Sequence, residues 1–259
     1  MQRAFWMLVV GVAALVFACA LGGALLGILL QRVLPSAHLS HESKDVIKLG
    51  TGLVATMAAL VLGLLVGTAK SSFDSQTTGF QQLATNVILL DGALKSYGPD
   101  AEESRELLRQ LVAVTIDHLW PPDGSPHSTL ADSQLTDAGR AFHAAIRDLA
   151  PRDDAQRFAQ SQALAIGSEL ARTRWNLSQQ DEDSLPLPFL AVLAFWLFVL
   201  FTSFGLFSPR NETVIAVLFV CALSVAGAVY LIVDLDQPFE GLLQVSSTPL
   251  RNALAQLGK

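Results

Sequence analysis

The chain has 259 residues, of which 51% are hydrophobic and only 15% charged. Average soluble domains carry about 25% charged residues, so this balance excludes an ordinary soluble domain and points to a polytopic membrane protein. Residues 71–185 hold nine Lys or Arg against seventeen Asp or Glu, a local charge of −8, which excludes a nucleic-acid partner because phosphate contacts need clustered basic residues.

Four apolar runs dominate the chain: Phe5–Leu30, Val46–Ala69, Leu187–Phe207 and Thr213–Val233. Each has at least 20 residues, about what a helix needs to cross a hydrocarbon core of roughly 30 Å. All four are read as membrane-spanning helices. The fold class expected is all-α, a polytopic membrane protein with four transmembrane helices and a helical extramembrane domain. Domain limits follow: 1–70 for the first two spans, 71–185 for the acidic domain, 186–234 for the last two spans and 235–259 for a tail.

The first run begins after Met1-Gln2-Arg3, and Ala18-Cys19-Ala20 mimics a signal-cleavage site. The apolar stretch continues ten residues further, too long for the 7–15 residues of a signal core. Gly23 and Gly27 form a G-x-x-x-G pair that lets helix backbones approach closely in lipid. Cys19 and Cys221 both lie in apolar runs and serve as small apolar residues. The loop after the first run carries His38 and His41 with Glu42, read as a polar interfacial segment rather than a metal site.

The second run does not stop at the membrane. Phe80, Leu83, Val87, Leu90 and Leu94 follow at spacings of 3 and 4, a helical period. One rod is expected, ended by Gly98-Pro99-Asp100. Further helices are expected over Ala101–Trp120, Asp137–Leu149 and Asp153–Gln179, the last with Leu164, Ala171 and Trp175 on its buried side. Asp181-Glu182-Asp183 read as a solvated break before the third span, since they lack the alternating spacing of a calcium loop.

Steps of 3 and 4 along the second run pick out Lys48, Gly52, Thr56, Ala59, Gly63, Gly67 and Lys70. This face is small or polar along its length, with a lysine near each end. Val54, Met57, Val61 and Leu65 stand opposite. Two accounts are open. The small residues let another helix pack closely, as Gly63 and Gly67 repeat the G-x-x-x-G spacing. Alternatively, in a ring of identical subunits they line a pore, and rings of basic side chains favour anions. Arg3, Lys70, Arg172, Arg174, Arg251 and Lys259 against Arg32, Lys44, Lys48 and Arg210 lean the acidic domain and both termini to the cytoplasm. No nucleophile motif, phosphate loop or metal set appears, so an enzyme is the least favoured class, and no cofactor or metal is expected. Asp234 and Asp236 mark the membrane boundary or cap the tail.

Several segments together resemble the bestrophin-like family of bacterial membrane proteins, domain of unknown function 4239. They are His38-Leu39-Ser40 with Lys48-Leu49-Gly50-Thr51-Gly52, then Ala69-Lys70-Ser71-Ser72-Phe73-Asp74, then Tyr97-Gly98-Pro99. The last is Asp236-Gln237-Pro238-Phe239-Glu240-Gly241 with Ser246-Ser247 and Pro249-Leu250-Arg251. The resemblance is distant to bestrophins themselves, pentameric anion channels whose second helix lines the pore. It implies a bacterial inner-membrane protein, a homo-oligomer that is a pentamer if it follows bestrophins, and small inorganic anions as partners beside the lipid bilayer. It makes the small-residue face pore-lining and places Asp234, Asp236, Pro238 and Phe239 in a tail motif. Where a bestrophin neck has large apolar residues, Ala59, Gly63 and Gly67 stand here. The alternative is a non-conducting membrane scaffold or sensor whose acidic domain binds a partner.

Overall fold

A computed structural model describes residues 2–35, 41–121, 129–180, 187–209, 211–236, 239 and 241–258. Among these the chain is all-helical and contains no strand. Its helices are α1 (Gln2–Val33), α2 (His41–Tyr97), α3 (Glu102–Leu119), α4 (Thr129–Arg147), α5 (Asp154–Gln180), α6 (Leu187–Phe207), α7 (Glu212–Leu235) and α8 (Thr248–Gln256). Four of them hold stretches long and apolar enough to cross a membrane: Val9–Val33, Lys44–Tyr97, Pro188–Phe207 and Glu212–Leu235.

The chain divides into two compact units. One comprises Arg3–Ser72 and Ser184–Gln237; the other comprises Met1–Gln2, Phe73–Asp183 and Pro238–Lys259. Helix α2 contributes its first half to one and its second half to the other. Its 57 residues far exceed the 20 or so that a bilayer requires, as the unbroken period past Lys70 led us to expect.

In the apolar unit, α1, α6 and α7 share a core with one side of α2. Val16, Ala20 and Ala24 of α1 meet Leu193, Leu197 and Phe201 of α6, Val229 and Ile232 of α7, and Ala58 and Leu65 of α2. The Gly23–Gly27 pair is used here. A Cβ on Gly23 would lie 2.5 Å from the Phe198 carbonyl oxygen, and one on Gly27 would strike the backbone of Thr202 and Leu206. Gly205 reciprocates: a Cβ there would strike the Ala24 carbonyl. The α1–α6 crossing thus rests on three missing side chains, the geometry by which dispersion replaces hydrophobic drive in lipid. Phe17 and Phe219 add an edge-to-face contact at 5.4 Å. The short α6–α7 turn ends at Asn211, whose Oδ1 accepts from Val214 N at 2.9 Å and caps α7.

The second unit is a soluble-style helical core. Phe80, Leu83, Val87, Leu90 and Leu94 of α2 are all buried, against Leu108, Leu111, Val112 and Ile116 of α3 and Phe142 and Ile146 of α4. Each such side chain contributes about 1.5–3 kcal/mol by leaving water. Helix α2 stops at Gly98, whose φ of +108° only glycine adopts without strain. Pro99, lacking an N–H, then opens a 3₁₀ turn, Pro99–Ala101. Two glutamines of α5 close the ends of other helices. Gln156 Nε2 donates to Tyr97 O at 3.1 Å. Gln160 Nε2 donates to Ile146 O at 3.0 Å and Leu149 O at 2.9 Å. These carbonyls lack intrahelical partners and need such donors.

Two sequence expectations are corrected. Helix α4 begins eight residues before Asp137, because its early residues show no apolar period strong enough to mark them. On α5 the buried side runs through Ala159, Ala163, Gly167 and Leu177. Ala171 is exposed and Trp175 is 65% exposed, because the chain buries the narrow small-residue face of that helix rather than its bulkiest side chain. Helix α8 was not expected; Leu250 and Ala253 seat it in the core.

Candidate functional site

Helix α2 presents two unlike faces within its membrane span. Ala58, Leu65 and Ala69 are buried, with Val54, Ala55, Val61 and Leu62 packed beside them. Met57, expected on this bulky side, is 45% exposed at its edge. The opposite face carries Lys48, Gly52, Thr56, Ala59, Gly63, Gly67 and Lys70, and every one of them is exposed. A Cβ added to Gly52, Gly63 or Gly67 would meet nothing within 4 Å. The two G-x-x-x-G pairs of the sequence therefore differ in use: the one in α1 is closed by α6 of the same chain, and the one in α2 is open.

This openness sets α2 apart from the other spans. Only 11% of its most apolar window is buried within the chain, against 28%, 33% and 22% for the windows in α1, α6 and α7. The chain's own packing accounts for one edge of α2 and leaves the rest to lipid, water or another molecule.

The polar groups on α2 are locally committed. Thr56 Oγ1 donates to Gly52 O at 2.8 Å, so its hydrogen points along the helix and its lone pairs point outward. To donate to an ion, this hydroxyl has to turn away from Gly52. Thr51 Oγ1 donates to Ile47 O at 2.7 Å and lies 3.1 Å from Ser203 Oγ of α6. That cross-helix contact was not singled out in the sequence, since a lone serine in an aromatic-rich helix carries no signal of its own.

The tail residues fall into different surroundings. Asp234, at the end of α7, is 1% exposed, and Asp236 is the residue that caps that helix. Pro238 lies outside the described residues, as do His38, Ser40 and Asp181–Asp183. Phe239 belongs to the second unit, where it forms an edge-to-face cluster with Phe80 at 5.6 Å and Trp120 at 5.8 Å. Trp120 Nε1 donates to Val245 O at 2.9 Å, tying the same tail to α3. Phe239 is thus a packing residue. Among the described residues no group of three or more His, Cys, Asp or Glu is placed to hold a metal ion.

A family model for the Bestrophin-like domain matches residues 4–250. No curated protein and no solved structure matches the chain. The match runs through all four apolar helices and the helical unit between them, and the chain belongs to the bestrophin-like family of integral membrane proteins.

Proposed function

We propose that this protein is a homo-oligomeric channel that passes small anions along the small-residue face of α2. The observation that carries this reading is the contrast within α2: one edge is sealed by its own chain, and the stripe of small residues between Lys48 and Lys70 is open. Copies arranged around an axis, five if the subunit number follows bestrophins, would bring these faces together. Gly52, Ala59, Gly63 and Gly67 would leave room for a hydrated ion. Lys48 and Lys70 would form positive rings near each end, which attract anions. The acidic unit and both termini would lie in the cytoplasm. The family match supports a channel-like membrane function. Recordings from purified protein in planar bilayers test the reading. Anion-selective current is expected; silence, or cation-selective current, overturns it.

A second reading is favoured by the same open G-x-x-x-G pair. In a non-conducting scaffold or sensor, Gly63 and Gly67 would seat a helix of another copy. Gly63→Leu separates the two. A packing role predicts loss of the oligomer in detergent; a pore role predicts an intact oligomer with altered conductance.

A further inference from the structure

The acidic unit contains one groove of opposite character. A cavity of about 380 Å³ between α4 and α5 is lined by Arg140, His143, Ala144, Arg147 and Leu164. Its volume falls in the range of small-molecule sites, about 300–1,000 Å³. Arg140, His143 and Arg147 occupy successive turns on one side of α4, three and four residues apart. From Arg140 to Arg147 the helix rises about 10 Å, at 1.5 Å per residue. Gly167 of α5 lies beside the imidazole: a Cβ there would sit 3.8 Å from His143 Cε1, in ordinary contact.

The charge pattern of the walls is unusual for this domain. Between Asp137 and Asp148 on α4, and between Asp154 and Glu169 on α5, no carboxylate occurs. The whole 71–185 region carries seventeen. The two arginines do have carboxylate neighbours at the edges: Arg140 Nη2 lies 3.1 Å from Asp137, and Arg147 Nε 3.9 Å from Asp148. Both pairs are exposed, with every side chain at least 70% accessible. Such pairs contribute little and break readily, so both guanidinium groups are available to a ligand. The lower wall is held in place by Gln160, which bonds the carbonyls of Ile146 and Leu149.

We infer that this α4–α5 groove binds a small polyanion, a molecule with two or more phosphate or carboxylate groups spread over up to about 10 Å. The two guanidinium forks each match an anionic group bidentately, and the imidazole N–H donates between them. Ala144 and Leu164 supply an apolar floor for the ligand's body. A monovalent anion fits poorly, because it satisfies only one of three separated donors. The site is therefore distinct in ligand from the path along α2, and its existence does not depend on conduction.

Isothermal titration of the full-length protein in detergent tests the proposal, with inorganic triphosphate and citrate as alternative probes and chloride as the monovalent control. Saturable binding of triphosphate or citrate, one per chain, is expected, and the stronger of the two identifies the anionic group preferred. Arg140→Gln with Arg147→Gln should weaken it at least tenfold, and His143→Gln by about threefold. Arg109→Gln, which removes an exposed arginine paired with Glu106 elsewhere on the domain, should leave it unchanged. Each variant is checked for unaltered helicity, and the single arginine variants are used if the double variant does not fold. Three results overturn the site: no saturable binding of either probe, wild-type affinity in the arginine variants, or an equal loss in Arg109→Gln.

Discussion

Arg105 grips Asp91 with both arms: Nε donates to Oδ1 at 2.8 Å and Nη2 to Oδ2 at 3.2 Å. The two side chains are each only 12% exposed. The Arg105 hydrogen bonds to Asp91, joined by a weaker one to Glu102, hold the guanidinium above its ordinary pKa. The pair closes the turn at Gly98 by fastening α3 back onto α2.

Removing one partner should therefore cost more than removing both. Arg105→Met leaves a largely buried carboxylate without its counter-charge and is expected to destabilise the helical unit by about 3 kcal/mol. Adding Asp91→Leu to it should recover part of that loss. Thermal unfolding of the three variants, followed by circular dichroism, checks the order; a double variant worse than the single would refute it.

The two G-x-x-x-G pairs should respond oppositely to the smallest substitution. Gly27→Ala drives a methyl into the backbone of α6, which side-chain movement cannot relieve. A cost of about 2–3 kcal/mol and poor yield of folded protein are expected. Gly63→Ala meets open space within the chain and should leave single-chain stability within about 0.5 kcal/mol of wild type. Melting temperatures in one detergent compare them directly.

If Lys48 and Lys70 face a shared aqueous path, neutralising either should weaken anion preference. Lys48→Gln or Lys70→Gln is expected to lower the anion-to-cation permeability ratio about fivefold, equivalent to ~1 kcal/mol of attraction near water. Reversal potentials in asymmetric salt report the ratio. An unchanged ratio in both variants places the lysines off the path.

Beside the buried Leu250 and Ala253, aromatic packing and one indole hydrogen bond hold the tail. Phe239→Ala should cost about 2 kcal/mol, given its half-buried ring and two edge-to-face contacts. Trp120→Phe keeps an aromatic ring, though a smaller one, but loses the bond to Val245 O, a loss of about 1 kcal/mol. Hydrogen exchange over residues 241–258 should accelerate in both, more in the first.

Glu106 provides a pH signature. Hydrogen bonds from Arg109, and then Gln110, lower its carboxyl pKa from 4.5 to about 2. In the folded state it binds fewer protons than in the unfolded state between these values. Its contribution is thus complete above pH 4.5 and lost as pH falls toward 2. Both side chains of the pair are about half accessible to solvent, so the effect is small. Carbon-detected titration of the Glu106 carboxyl should give a midpoint near 2, rising toward 4.5 in Arg109→Gln.

Some features needed nothing beyond the chain's order of residues. Four spans follow from apolar length, because a bilayer imposes one dimension on any helix that crosses it. The rod past Lys70 follows from unbroken period, and its end from Gly98 and Pro99, whose backbone limits are local. What a period cannot say is which neighbour a face meets. Gly23–Gly27 and Gly63–Gly67 have the same spacing, yet among the described residues the first is closed by α6, whose Gly205 meets Ala24 at the crossing, and the second meets nothing. Phe239 stood out in the sequence as part of a motif, and its half-buried ring packs against the core, on Phe80 and Trp120 from over a hundred positions away. On α5, a chain of local hydrophobicity favoured Trp175, and packing chose Ala159, Ala163 and Gly167. Close approach of backbones rewards the absence of side chains, a preference that hydrophobicity alone does not register.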